Sequence, residues 1–293
     1  MCNRQAIFLL LALAVLFGLS ACAADSTPFP ASTAIATQPT TRPTPTSVPA
    51  PTSTPTPSPC TSQPGTLLSV NLDSASIPRF QLYLPPCYQT DGNRRFPVVY
   101  LFHGATYDDG QWPRLGLTET AERLIASEEI PPFIIVMPYN RASWRNPEDD
   151  PFDQAILNDL IPYVDTHYRT LADRHYRALG GLSRGAGWAL RLGLTHPQLF
   201  TRIGLHSPVI FYQDQFKIKD WLRELPADTQ PSIYLDIGRS DKEHGNAAQL
   251  AALLSEAQMP LTWRLGEGTH DENYWQAQVE NYLRWYAADW NSP

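Results

Sequence analysis

Hydrophobic and polar positions along this chain follow two periods, and its N-terminal stretch follows neither. FPVVYLFHG (96–104) and PFIIVMP (132–138) are short, continuous apolar runs bounded by Gly or Pro. That is the pattern of strands covered on both faces. YRALGGLS (176–183), RIGLHSP (202–208), SIYLDIG (232–238) and LTWRLGEG (261–268) read as further strands. TLLSVNL (66–72) and RFQLYLP (79–85) look like an opening antiparallel pair. Between the strands, LGLTETAERLIAS (115–127), WALRLGLTHP (188–197) and GNAAQLAALLSEAQ (245–258) read as helices. PFDQAILNDLIPYVDTHY is helical from about Phe152, with Leu157, Leu160, Ile161 and Val164 on one face and a kink expected at Pro162. DENYWQAQVENYLRWYAADW carries Trp275, Val279, Tyr282, Leu283 and Tyr286 at helical spacing. Strand and helix alternate throughout, which predicts an α/β domain over 65–293 built on a mostly parallel sheet with helices on both faces.

The N-terminal stretch has a different composition. After Arg4, AIFLLLALAVLFGLSA has the length of a signal-peptide core and is short for a membrane span. It ends in Leu19-Ser20-Ala21-Cys22, which resembles a bacterial lipobox. That pattern predicts a signal peptide over 1–21, lipidation at Cys22 and a mature protein anchored to the outer face of the cell membrane. From Ala23 to Pro64 the chain holds 11 Pro and 11 Thr in 42 residues, with only Asp25 and Arg42 charged. Such a segment cannot bury a core, so residues 22–64 are expected to be a disordered, extended tether.

Of the four cysteines, Cys2 lies in the signal and Cys22 is the lipid site. An exported, oxidising setting predicts that Cys60 and Cys87 pair as a disulfide. Neither has a second cysteine or histidine at metal-ligand spacing, so no metal site is expected, and no residues suggest an organic cofactor. The net charge of -7 gives a nucleic-acid partner no support.

Chemistry concentrates at Gly181-Leu182-Ser183-Arg184-Gly185, where a strand gives way to a helix. A serine on so tight a turn projects its hydroxyl above the sheet, and glycines two residues to either side avoid collision. A serine nucleophile needs a base, and an imidazole suits neutral pH. His270 follows the last strand, and Asp241 lies in the loop after SIYLDIG, the order nucleophile, acid, histidine. Asp236, inside that strand, and Glu243 are rivals for the acid. His103, His175, His196, His206 and His244 read as structural or solvated residues. The backbone N–H of Arg184, with that of Ala105 or Thr106 after Gly104, is expected to form the oxyanion site. Trp112, Tyr139, Trp144 and Trp275 fall in loops or at element ends near the same edge, where aromatic faces suit sugars or phenolic acids.

LYLPPCY, FPVVYLFHGATYDDGQW, NDLIPYVDTHY, RALGGLSRGAGWALRLGLTHPQLF, IGRSDKE and GTHDENYW, in this order, resemble the esterase family of α/β-hydrolases. That family includes feruloyl and acetyl-xylan esterases, S-formylglutathione hydrolase, enterochelin esterase and mycolyltransferases. The resemblance spans about 66–288 and implies an α/β-hydrolase fold with Ser183 as nucleophile, Asp241 as acid and His270 as base. It implies a serine carboxylesterase, whose substrate is a small-molecule or polysaccharide-linked acetyl or feruloyl ester. Two departures stand out: Arg184 where the family's elbow carries Met, and Ala186 where it carries a second Gly. An acyltransferase with a sugar or lipid hydroxyl as acceptor, and a binding lipoprotein without turnover, both remain open on the sequence.

Overall fold

The computed structural model describes residues 63–290. The signal segment and almost all of the tether, with Cys22 and Cys60, lie outside the described residues. The strands are β1 (Thr66–Asn71), β2 (Arg79–Leu84), β3 (Val98–Phe102), β4 (Ile134–Pro138), β5 (Arg177–Leu182), β6 (Arg202–His206), β7 (Ser232–Gly238) and β8 (Leu261–Gly266). They form one sheet in the order β1-β2-β4-β3-β5-β6-β7-β8. β1 pairs antiparallel with β2, and β2 antiparallel with β4; every other pairing is parallel. The helices are α1 (Gln111–Arg114), α2 (Leu117–Ala126), α3 (Phe152–Ala155), α4 (Ile161–His167), α5 (Arg184–Thr195), α6 (Ile218–Glu224), α7 (His244–Glu256) and α8 (Glu272–Ala287).

The continuous apolar strands are explained by a core on each side. Along β3, Val98, Tyr100 and Phe102 face one cluster with Ile156, Leu160, Val164, Trp188, Leu192, Ile218, Leu250 and Leu254, residues of the α3–α4 segment, α5, α6 and α7. Val99 and Leu101 face the other, with Leu117, Ala121 and Leu124 of α2 and Tyr282, Leu283 and Tyr286 of α8. Successive strand residues point to opposite faces, so a strand buried on both has no polar position to spare. β3 is shorter than its apolar run because Pro97 has no N–H to donate, and Phe96 makes only an isolated bridge to Thr170.

The helix expected from Phe152 does form, but its irregularity lies before the proline. Residues Ile156–Leu160 make a π-helical turn, and Pro162 sits in the first turn of α4. A wider turn there leaves the missing proline N–H without consequence. Sequence reading missed α6, whose seven residues bury only Ile218. No helix among the described residues is long and apolar enough to cross a membrane.

The parallel strands deliver their C-terminal ends to one edge. Ser183 follows β5, Ser207 follows β6, Asp241 follows β7 and His270 follows β8. Because β5, β6, β7 and β8 are consecutive neighbours, these four residues emerge side by side. Ligands of open α/β sheets bind at this edge.

Candidate active site

Ser183 occupies a backbone conformation that L-residues rarely adopt, with φ 54° and ψ -115°. Neighbouring hydrogen bonds hold it there. Its N–H donates to His206 O at 2.9 Å, and its carbonyl accepts from Val209 N–H at 3.0 Å. The flanking glycines are required by close approach. A Cβ at Gly181 would lie 2.4 Å from Gly185 C, and one at Gly185 would lie 2.5 Å from Phe102 O. Both obstacles are backbone and cannot swing aside. Glycine lets α5 start against β3, and the strain places the Ser183 hydroxyl over the sheet edge.

His270 and Asp241, the expected base and acid, stand in line with that hydroxyl. His270 Nε2 lies 2.8 Å from Ser183 Oγ, while His270 Nδ1 lies 2.8 Å from Asp241 Oδ2 and 3.0 Å from Oδ1. An ionised carboxylate can only accept, so Nδ1 carries the proton and Nε2 is free to accept from the serine. Asp241 also accepts from Glu243 N–H at 2.8 Å. Burial pushes its carboxyl toward protonation; the hydrogen bonds from His270 and Glu243 N–H and the His270 charge outweigh it and hold the carboxyl below its ordinary range. Asp241 is therefore the carboxylate that reaches His270. Its rival Asp236 is turned into the core, where its Oδ1 lies 2.7 Å from His206 Nδ1. Glu243 contributes only its backbone N–H to the acid, its side chain bonding Asn246.

Residues 75–286 match the family model described as Putative esterase. The chain belongs to this esterase family. An endo-1,4-beta-xylanase/feruloyl esterase of Xylanibacter ruminicola is 28% identical over 231 residues, covering 74% of this chain. This chain spans only 30% of that relative's length. Among solved structures, a ferulic acid esterase superposes with a TM-score of 0.69 at 21% identity, covering 77% of this chain and 98% of that one. A mutant feruloyl esterase module from Clostridium thermocellum, complexed with sinapinate, gives 0.67 at 18% identity, covering 81% and 95%.

In this esterase-family chain the expected oxyanion residues border Ser183. The Arg184 N–H opens α5, where a helix offers its first N–H groups without partners of its own. Ala105 and Thr106 follow Gly104, and a Cβ at Gly104 would come 3.6 Å from Ser183 Cβ. Thr106 has φ 67°, a left-handed turn that bends the loop back at this point. His103 serves the same loop structurally: its ring bonds Gly104 O at 2.7 Å and accepts Asn140 N–H at 3.0 Å. Burial holds its imidazole below the ordinary range, so it stays neutral.

The four aromatic residues expected on the substrate side divide into two groups. Trp144 is 72% exposed, and Tyr139 is partly exposed, stacked on His103 beneath Arg79. Trp112 and Trp275 are not available as stacking platforms: both are buried. Trp112 lies in the core under α2 and α8 and donates its indole N–H to Phe102 O. Trp275 donates its own to Ser207 Oγ at 3.0 Å and packs edge-on against His270. A cleft of about 280 Å³ borders the elbow, lined by Asn146, Glu148, Arg184, Phe211 and Tyr212 among others. The Arg184 guanidinium lies over the Phe211 ring and donates to Arg145 O, tying the Trp144 loop to this cleft. A larger groove of about 560 Å³ between β8 and α8 contains none of the triad residues.

Two groups escaped the sequence reading. One is Ser207, whose place just past β6, between the nucleophile strand and the acid strand, is visible only once the sheet order is known. The other is a buried polar cluster behind the site. Asp236 Oδ2 accepts from Tyr274 at 2.9 Å and Tyr282 at 2.7 Å, and His206 Nε2 lies 3.0 Å from the Tyr286 hydroxyl. Cys87 is disulfide-bonded. Its expected partner, Cys60, lies outside the described residues.

Proposed function

We propose that this protein is a serine carboxylesterase that hydrolyses carbohydrate-linked acetyl or feruloyl esters through an acyl-enzyme. The observation that carries the reading is the unbroken line from Ser183 Oγ through His270 to Asp241, with both hydrogen bonds at 2.8 Å. His270 Nε2 takes the Ser183 proton as Oγ attacks the ester carbonyl. Asp241 holds the imidazole in its Nδ1–H tautomer and stabilises the imidazolium. Negative charge on the tetrahedral oxygen is met by the N–H of Arg184 and of Ala105 or Thr106. The intermediate collapses as the imidazolium protonates the leaving alcohol. Water then attacks the acyl-serine, giving its proton to His270, and the acid departs with Ser183 restored.

The acyl preference rests on the feruloyl esterase names among the relatives and on the aromatic surroundings of the cleft, Phe211, Tyr212 and the exposed Trp144. Initial rates on p-nitrophenyl acetate and methyl ferulate, measured side by side, test it. Turnover of both is expected, and their ratio reports the acyl pocket. A folded protein that turns over neither sinks the reading.

We place the enzyme outside the cell membrane, held by lipid on Cys22, on the sequence pattern Leu19-Ser20-Ala21-Cys22 and the tether after it. Cys22→Ser is expected to move the protein from the membrane pellet to the soluble fraction. A pellet fraction unchanged by the substitution refutes the lipid anchor.

A further inference from the structure

We propose that the Arg184 guanidinium makes this esterase select acidic carbohydrate esters, in which the acetyl or feruloyl group sits on a sugar whose own carboxylate, as in a uronic acid, binds at Arg184. The inference rests on the reading of the chain as an esterase of carbohydrate-linked esters and deepens it.

Arg184 directly follows Ser183 and opens α5. Its backbone N–H belongs to the expected oxyanion site, and its side chain lines the cleft of about 280 Å³ beside the elbow. The guanidinium lies 4.9 Å over the Phe211 ring centroid, and Nη2 donates to Arg145 O. Nε is buried and has no acceptor, and among the described residues no carboxylate stands within ion-pair distance of the group.

The acids nearby are engaged elsewhere. Glu148 pairs with Arg191 Nη2 at 2.9 Å, and Asp214 holds Arg191 through Nε at 2.9 Å and Nη2 at 2.7 Å. Asp150 is buried and accepts from Asn140 Nδ2 at 3.0 Å, and burial pushes its carboxyl toward the neutral form. Arg145 lies over the Trp144 ring and makes no ion pair among the described residues. Two cations beside the cleft are thus left without a contacting carboxylate of the chain. A guanidinium has five N–H donors in a planar fork, and a half-buried one gains most from an acceptor that neutralises it. A carboxylate meets that fork with two parallel charge-assisted bonds.

The rest of the lining suits a sugar. Asn146 and Gln213 are exposed there, and their amides can both give and accept bonds to hydroxyls. Tyr212, in the same lining, and Trp144, on the loop tied to Arg184, offer exposed aromatic faces for the apolar side of a sugar ring. Acetyl and feruloyl groups carry no carboxylate, so the cation is matched only by the alcohol part of the ester.

The test is acetate release by the full chain from two matched esters, a mono-O-acetyl methyl galacturonoside and the corresponding mono-O-acetyl methyl galactoside. They differ only in a carboxylate against a hydroxymethyl group. Wild type is expected to favour the acidic ester about tenfold in kcat/KM, mostly through KM, because the carboxylate is held equally before and during the reaction. Raising salt from about 20 mM to about 500 mM should erode that preference by raising KM for the acidic ester alone. Arg184→Met keeps a long side chain over Phe211 and removes the charge, and should bring the ratio of the two kcat/KM values to about one. Equal kcat/KM for the two esters in wild type overturns the proposal, as does a preference that survives Arg184→Met or ignores salt. The wild-type salt series decides the matter should Arg184→Met fail to fold. p-Nitrophenyl acetate, run alongside, separates the two readings. If all three esters turn over and the sugars are not distinguished, only this inference fails. If p-nitrophenyl acetate alone is hydrolysed, the sugar reading fails with it and the esterase stands; if no ester is hydrolysed, the esterase reading itself fails.

Discussion

Ser183→Ala is expected to lower kcat by about four to six orders of magnitude while leaving the fold intact. The side chain lost is small, and among the described residues its hydroxyl bonds only to His270 Nε2. What disappears is the covalent step. His270 then has no hydroxyl to deprotonate, and Asp241 has no imidazolium to stabilise. The N–H groups around the tetrahedral oxygen remain, so a residue of rate above the uncatalysed reaction survives. Because the three groups act as one unit, combining Ser183→Ala with His270→Ala should cost little beyond the single change. Initial rates with circular dichroism on the same samples decide the matter. A Ser183→Ala protein within tenfold of wild type would exclude the acyl-enzyme route.

Asp236→Ala is expected to unfold the protein at a melting temperature lower by about 10 °C. The carboxylate stands at the centre of a fully buried cluster, accepting from Tyr274 and Tyr282 and pairing with His206. Truncation leaves three buried polar groups without their acceptor. Breaking a buried pair in this way costs about 3–5 kcal/mol. In a domain of this size each kcal/mol moves the melting temperature by about 2–4 °C. Thermal unfolding followed by circular dichroism measures it, and a shift below about 2 °C would show that the cluster relaxes or admits water. The outcome also separates the two aspartates. Asp236 should govern stability, whereas Asp241, on the loop beyond it, should govern rate.

Much of this arrangement could be read from residues alone, because the features concerned are local or depend on chain order. A strand buried on both faces must be apolar at every position, and Val98–Phe102 and Ile134–Pro138 are. Gly181 and Gly185 flag their turn because no other side chain fits between backbone atoms there. Asp241 and His270 follow from the order of strands, and the sheet places them together. What escaped was set by tertiary packing. Trp112 and Trp275 sit at the starts of helices, where sequence gives no measure of exposure, and both turn inward because their indole N–H groups find acceptors inside. Ser207 carries no motif; its place beside Trp275 comes from β6 lying between two other strands. The π-helical turn before Pro162 reflects how two packed faces meet, which periodicity along one segment cannot report.

The Tyr286 side chain reaches from the last turns of α8 to the middle of the sheet. A Cβ at Gly180 would come 1.7 Å from its hydroxyl oxygen, and one at Gly204 1.8 Å. The phenol fills the space that these two glycines leave on β5 and β6. The strand that leads to Ser183 is therefore completed by a helix that follows the last strand of the sheet. Such an arrangement ties local opening to global unfolding: α8 cannot fray through Tyr286 without uncovering the strand three residues from Ser183. A chain emerging from synthesis has every strand of the sheet before it has this helix. The backdrop of Ser183 is thus finished only by a helix that follows every strand, and partly made chains hold the serine without that support.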